Sequence, residues 1–332
     1  MEYLRIKLKP KSFLHLGERE GWLEGSKIHI PSDTIFSALC HCHLLLYGEV
    51  DSFIQAFKEE PPFLLSSAFP YWEDELYFPL PKNQMFGNVK SSENGKELKK
   101  VKFVNLKLLL RLLNNEHLED LEDEIDKSQE LDCLPRIDKK ERAGKKLVPW
   151  EVEDVPRIAL SRFNNHPGEN FFHFGQVHFA ENSGLFILVN LKDESWENKV
   201  RALFNLLADE GIGGDRTAGK GLFYPPEFDR LFIPEVSEAN ASYAVSTYFP
   251  RDEELVGLEK GFYELEVRKG YIFSLHNRSY RRRSLRLFSE GSIFPAANRK
   301  GALVDITPEV FTAHRVYRYG FLFSFPCKME EQ

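Results

Sequence analysis

Polar and apolar positions alternate from the first residues. Leu4, Ile6 and Leu8 alternate with Arg5, Lys7 and Lys9, the period of two that marks a strand with one buried face. A polar loop carrying His15 and Gly17 follows. The period then lengthens. Ile35, Ala38, Leu39, Cys42 and Leu46 lie on one face of a helix, and Ser32 or Asp33 stands at its N-cap position. Two further strands are expected, at 171–179 and in the apolar run 185–189, with a hairpin turn at 181–184 between them. Val200, Leu203, Phe204 and Leu207 recur at i, i+3, i+4 and i+7, which predicts a helix over 196–209. A glycine-rich loop and a short extended segment, LFYPPEF, complete the series.

Strand, helix, strand, strand, helix, strand is the β-α-β-β-α-β order of a ferredoxin-like domain. Residues 79–156 interrupt it. They are rich in Lys, Glu, Asn and Ser, with one short amphipathic piece near 106–113, and read as an insertion, partly mobile. From about Pro234 the helical signal is weak, and strand-like pieces stand at 243–249, 262–268 and 317–325. The expected fold class is therefore α+β with two ferredoxin-like (RRM-like) domains. The first, 1–233, carries the glycine-rich loop and the insertion 79–156. The second, 234–332, is smaller and degenerate.

Composition adds limits. A chain of 332 residues is long for one core and comfortable for two. The net charge of -7 counts against a nucleic-acid binder, but binding follows the local field rather than the sum. Here the charge is uneven: 116–130 is acidic, whereas 278–286 reads RSYRRRSLR. The 28 phenylalanines suit a core or base stacking equally. Four scattered cysteines are too few for a disulfide framework. The N-terminus MEYLRIKLKP lacks an apolar signal-peptide region, and no run approaches the length of a membrane helix. These features lead to the expectation of a cytoplasmic protein with reduced thiols and no membrane partner.

The segment Gly211-Ile-Gly-Gly-Asp-Arg-Thr-Ala-Gly-Lys-Gly221 is the most informative. From Gly214 it has the Walker A spacing, but Gly221 follows Lys220 where a Ser or Thr must hold magnesium. The context is also inverted, because the loop leaves a helix and enters an extended segment, whereas a P-loop feeds its phosphates to a helix N-terminus. The dinucleotide fingerprint fails at Arg216. A helix C-cap explains Gly211 alone. Glycines 213, 214, 219 and 221, interleaved with Arg216 and Lys220, instead suit a sugar–phosphate backbone. Bare glycine lets the chain approach, successive N–H groups can form an anion nest, and the two cations pair with phosphates.

This loop resembles the glycine-rich loop of RAMP-superfamily proteins, the ferredoxin-like RNA binders of CRISPR systems. Its GIGGxRxxGxG form, following a helix, is similar to that of the fourth subunit of type III-A Csm complexes. The segments PSDTIFSAL, PRIALSRFN, NSGLFILV, RLFSEGSIF and YRYGFLFSF resemble that family in the same order, so the likeness spans both halves of the chain. It implies a subunit without catalytic role that holds the 5′ tag of the CRISPR RNA (crRNA). The subunit would sit between a large polymerase-like subunit and the first RAMP backbone subunit, with a protruding thumb at the junction of tag and guide. By position, the resemblance places Gly213, Gly214, Arg216, Gly219, Lys220 and Gly221 on the RNA loop, and Arg157 and Arg162 near the base of the thumb. Part of the insertion would serve the thumb and partner contacts, its acidic stretch facing protein or solvent.

Other constellations are weighed beside it. His15 lies where related RAMP ribonucleases keep a histidine, so an endoribonuclease acting through His15 is the alternative function. No second acid or base accompanies it, and RNA contact without chemistry is preferred. A related backbone subunit cleaves with an acidic residue near the position of Asp33, yet an N-cap is the simpler role here. Cys40-His41-Cys42-His43 lacks the second cluster a structural zinc needs, and His173 and His178 face opposite sides of one strand. Arg281, Arg282 and Arg283, beside Tyr280, suit phosphate pairing and stacking, or docking of an acidic partner. No metal, cofactor or catalytic residue is expected.

Overall fold

The computed structural model describes residues 1–17, 24–84, 101–118, 133–134, 141–142, 145–146, 148–158, 160, 171–274 and 279–330. The alternating N-terminal segment forms β1 (Glu2–Leu8), and α1 (Ser32–Tyr47) and α2 (Asp51–Glu59) follow. Then come β2 (Phe63–Leu65), β3 (Phe69–Trp72), β4 (Glu75–Pro79), β5 (Phe103–Asn105) and α3 (Leu106–Leu113). Three two-residue strands, β6 (Cys133–Leu134), β7 (Glu141–Arg142) and β8 (Lys145–Lys146), precede β9 (Trp150–Ile158), β10 (Phe171–Phe179), β11 (Ser183–Leu191) and α4 (Glu197–Glu210). After β12 (Glu227–Phe232) the described chain is built from short strands: β13 (Ala241–Ala244), β14 (Leu265–Arg268), β15 (Leu285–Phe288), β16 (Ile293–Pro295), β17 (Gly301–Asp305), β18 (Tyr317–Phe321) and β19 (Ser324–Cys327).

The architecture is mixed α+β. The main sheet has the order β12-β1-β11-β3-β4-β5-β6, with β2 also on β11. All pairs are antiparallel except β5 with β6. β11 takes the centre because Leu185 to Val189 is apolar at every position. Such a run is stable only when covered on both faces, and all five side chains are fully buried. On β1, Leu4 and Ile6 fill one face, whereas the ring of Tyr3 packs on Phe323 and Phe325. α1 lies against α4 and against β18. Ile35, Leu39 and Cys42 of its expected face are buried, Ala38 is half-buried and Leu46 is exposed. Phe36 and His43 are buried as well.

One apolar core runs from Tyr3 to Cys327 and takes side chains from both halves of the chain. Polar contacts tie the halves as well. The Leu65 N–H donates to the Tyr319 hydroxyl at 2.9 Å, and the Tyr243 hydroxyl donates to the Pro79 carbonyl at 2.6 Å. Among the described residues no helix is long and apolar enough to cross a membrane.

Two sequence expectations are corrected. β10 and β11 flank a turn but do not pair. β10 instead pairs along its whole length with β9, from Phe171 opposite Ile158 to Phe179 opposite Trp150. β10 carries His173, Gln176 and His178, so it cannot take the dry central place that β11 fills. β9 was hidden inside the charged insertion because Glu151, Glu153 and Asp154 mask its periodicity. The second correction concerns α1. Its N-cap is Pro31, with no side-chain cap. Asp33 lies within the first turn, fully buried, and serves two arginines described below.

Candidate nucleic-acid interface

Gly211 ends α4 with φ of 75°, and its N–H closes the last turn on the Leu207 carbonyl at 2.8 Å. The loop then folds down onto the polar loop after β1. Gly214 N–H donates to the His15 carbonyl at 2.9 Å, Gly221 N–H to Phe13 at 2.8 Å, and Ile212 N–H to Gly221 at 3.1 Å. Much of the loop's backbone is therefore spent on the protein itself, and its glycines chiefly permit close packing. A Cβ at Gly213 would stand 2.5 Å from the His15 carbonyl oxygen, and one at Gly214 2.7 Å from the His15 ring. At Gly221 it would strike the Ile212 carbonyl. Gly219 alone of these faces open space.

His15 is the post beneath the loop. It is 6% exposed, and its Nδ1 lies 2.6 Å from the Gly175 carbonyl. A carbonyl only accepts, so Nδ1 carries the proton. Burial lowers its pKa, against the pull of that hydrogen bond. The ring of Phe174 lies beside it at 4.1 Å, with the Arg157 guanidinium at 4.2 Å and the Lys220 ammonium at 4.3 Å from the same ring. Lys220 is buried and donates to Gln176 Oε1 at 2.6 Å. Arg157 pairs with Asp215 at 2.7 Å. Burial, with Arg157 nearby, lowers the Lys220 pKa, opposed by Asp215. Lys220 thus acts as an internal brace of the loop. Arg162 lies outside the described residues.

Arg216 takes the opposite direction. Its guanidinium stands 4.6 Å from the ring of Phe273 and lines a cavity of about 290 Å³ between α1, the end of α4 and the segment after β14. Arg282, Arg268, Arg318, Lys269 and Tyr271 line the same cavity. The glycine-rich loop and the arginine run, some sixty residues apart in sequence, are thus brought to one place. The three arginines of the run diverge: Arg282 enters the cavity, Arg281 stacks on Tyr271 at 5.5 Å, and Arg283 is exposed. Tyr271 and Phe273 are each about half exposed and stand at the mouth.

At the floor, the Asp33 carboxylate accepts from Arg268 Nη2 at 3.0 Å and from Arg318 Nη1. Burial pushes the Asp33 pKa up, but Arg268 and Arg318 outweigh it and hold the carboxyl below its usual value. Burial, with Arg318 nearby, brings Arg282 down to about 10. Arg268, Arg318, Lys269, Tyr271 and Phe273 were missed in the sequence. The stretch Arg268-Lys-Gly-Tyr-Ile-Phe273 did carry a signal, cations interleaved with rings. Arg318, set between Tyr317 and Tyr319 in a strand, carried none.

The Cys40 to His43 segment brings no metal site together. His43 is buried with Nδ1 on the Glu49 carbonyl at 2.8 Å, whereas His41 and Cys42 face the cavity. Among the described residues no group of three His, Cys, Asp or Glu side chains is placed to hold a metal ion.

A second cavity, about 550 Å³, lies across β14 and is lined by Lys27, His29, Lys102, Glu266, Ser289 and Glu290, among others. Burial, reinforced by Lys27, pushes the His29 imidazole down to about 3 from 6.5. The folded chain therefore refuses a proton that the unfolded chain accepts. The neutral-His29 contribution is complete above pH 6.5 and is lost as pH falls toward 3, by up to about 1.4 kcal/mol per pH unit. Burial raises Glu290, which works in the opposite sense. The measurement is therefore the difference in stability between wild type and His29→Gln across pH 7 to about 4. It should shrink or reverse toward acid; a constant difference contradicts the assignment.

Residues 7–224 match the RAMP superfamily, and residues 237–327 match the CRISPR Csm4 C-terminal domain. The chain is similar to the CRISPR system Cms protein Csm4 of Methanocaldococcus jannaschii, at 26% identity over 92% of this chain and 89% of that protein. It is similar to the Thermococcus onnurineus protein of the same name, at 25% identity over 90% and 92%. Its fold is similar to a chain of the Csm1–Csm4 cassette crystallised with pppApA (TM-score 0.62, 22% identity, 100% of both chains). It is also similar to a chain of the Csm3–Csm4 subcomplex of a type III-A CRISPR-Cas interference complex (TM-score 0.68, 18% identity, 99% and 100%).

Proposed function

The chain belongs to the RAMP superfamily and carries a Csm4-type C-terminal domain, and from that premise we propose that it is an RNA-holding subunit, without chemistry of its own, of a type III-A CRISPR effector complex. It grips the 5′ tag of the crRNA. Its neighbours are a large polymerase-like subunit and a RAMP backbone subunit, and it works in the cytoplasm. Those neighbours are supported by the related Csm4 chains crystallised with Csm1 and with Csm3.

The observation that carries this reading is the shared cavity. Arg216 of the loop and Arg282 of the second half line one cationic recess, with Tyr271 and Phe273 at its mouth. Guanidinium groups pair with phosphates while rings accept unstacked bases, the usual means of holding a single RNA strand. The two acid–base candidates are committed elsewhere. His15 is buried beneath the loop, with Gly214 packed on its ring and its Nδ1–H donating to the Gly175 carbonyl, and Asp33 is clasped by two arginines. These commitments support a holding role over cleavage through His15. The β9–β10 arm carries Ile158, Leu160 and Phe171 exposed near its outer end, a set suited to a wedge at the tag–guide junction.

The ferredoxin-like reading of 1–233 has support in the sheet order. β11 separates β1 from β3, and β1 separates β11 from β12, so the crossovers through α1 and α4 are two interleaved split β-α-β units. Residues 234–332 are read as the degenerate second domain, joined to the first through the common core.

Arg216→Ala tests the reading. Affinity for a tag-sequence RNA should fall roughly tenfold, the size of one charge-assisted phosphate contact. The slope of log K against log salt should become shallower by about one. Fluorescence anisotropy over a salt series measures both. Unchanged affinity and slope remove the loop from the interface.

A further inference from the structure

The floor of the first cavity holds more positive charge than the protein neutralises. Arg216, Arg268, Lys269, Arg282 and Arg318 line it with two carboxylates, Asp33 and Glu210, and a third, Glu266, reaches Arg268 from outside at 3.6 Å. Asp33 is already shared by Arg268 and Arg318. Arg318 is 3% exposed, yet its Nε and Nη2 have no hydrogen-bond partner, and the buried Nε of Arg282 has none either. A buried guanidinium left with open donors is costly, and such groups normally meet an ion or ordered water. Gly270 makes room for the Arg282 guanidinium, since a Cβ there would stand 2.9 Å from its Nη2.

We infer that this cavity is a phosphoryl-anion site, in which Arg282 and Arg318 hold one phosphate group and the rings of Tyr271 and Phe273 cover whatever it is attached to. The inference deepens the RNA-holding reading and rests on it only for the source of the phosphate. A phosphate turned in from the RNA strand and the phosphate of a free nucleotide have the same chemistry at this floor. Neutralisation by an anion also explains how so many arginines are tolerated between the two halves of the chain. A bound phosphate at this position ties the segment before β15 to β18, beside the Asp33–Arg318 pair that joins β18 to α1.

The test uses the full-length chain free of RNA. Its Tm is followed against inorganic phosphate and against sodium chloride at matched ionic strength, for wild type and for Arg282→Gln. Arg282 is only half-buried and has no ion pair with Asp33, so its variant keeps the clasp that folding needs. Phosphate stabilises proteins in general by exclusion from their surface, so the decisive quantity is the increment that depends on Arg282. A saturable rise in wild type, with apparent affinity at least about tenfold weaker in Arg282→Gln, supports the site. Equal rises in the two proteins mean exclusion alone and overturn it. Competition against a labelled tag-sequence RNA then identifies the source. Displacement of RNA by phosphate, lost in Arg282→Gln, assigns the phosphate to the strand. No competition, with the Arg282-dependent rise intact, assigns the site to a free phosphate or mononucleotide. If wild type fails to bind tag RNA at all, the RNA-holding reading falls while the phosphate titration still judges the anion site.

Discussion

Asp33→Ala is expected to lower the stability of the folded chain by about 3–5 kcal/mol, the cost of stripping the counter-ion from a buried cation pair. The carboxylate is fully buried and is the ion-pair partner of both Arg268 and Arg318. Removing it leaves the buried Arg318 without its carboxylate and Arg268 with only the longer ion pair to Glu266, at 3.6 Å. The loss spans the molecule, because Asp33 belongs to α1 whereas the arginines come from β14 and β18. Urea denaturation in phosphate-free buffer measures it. Asp209→Ala serves as the comparison, since the Lys11–Asp209 pair is long, at 3.9 Å, and exposed, and such pairs contribute about 1 kcal/mol or less. A cost below about 1 kcal/mol at Asp33 would mean that the clasp is not the charge balance of the floor. The sign with pH follows from the depressed Asp33 pKa. The stabilisation is present above the ordinary value of 3.8 and is lost as pH falls through the folded value.

The second large effect is expected at Gly221. Both Gly219 and Gly221 have positive φ, 79° and 74°, so alanine at either position meets the left-handed penalty of about 1–2 kcal/mol. At Gly219 that is the whole cost, because the space around it is open. At Gly221 the added methyl also collides with the backbone of Ile212. Backbone cannot rotate aside as a side chain can, so the loop must lift. Gly221→Ala should therefore cost about 3 kcal/mol or more and weaken RNA binding, although no charged group is removed. Gly219→Ala should leave RNA affinity nearly intact. Thermal denaturation and RNA anisotropy on the two variants check the contrast. Equal behaviour would show that the glycines are chosen for φ alone and not for close approach.

Much of the fold was legible. The alternation of Leu4, Ile6 and Leu8 and the helical spacing of Val200, Leu203, Phe204 and Leu207 report which face is buried, and burial is what makes strand and helix. The β1, α3 and α4 expectations accordingly match the observed elements to within a few residues. Strand partnership was not legible. β10 and β11 are neighbours in sequence with a turn between them, yet they belong to different sheets. Periodicity tells a strand which face to bury, not which edge to meet. The role of Asp33 was misread for a related reason. An acidic residue at a helix start satisfies local capping rules, and nothing local announces two arginines arriving from 235 and 285 residues away.

For the candidate interface the division is the same. The residue order alone showed that the 211–221 loop permits close backbone approach and that it lacks the Ser or Thr of a Walker A motif, because glycine's missing Cβ and the missing hydroxyl are properties of single positions. Whether a cation faces a ligand or the protein depends on surroundings. Lys220 and Arg216 look equivalent in the sequence. The packed chain turns Lys220 inward onto Gln176 and Phe174, and sends Arg216 to a cavity shared with Arg282. Charge and hydrogen-bonding capacity are written residue by residue. Their use depends on distances across the fold, and those exist only once β1, α1 and β18 have packed together.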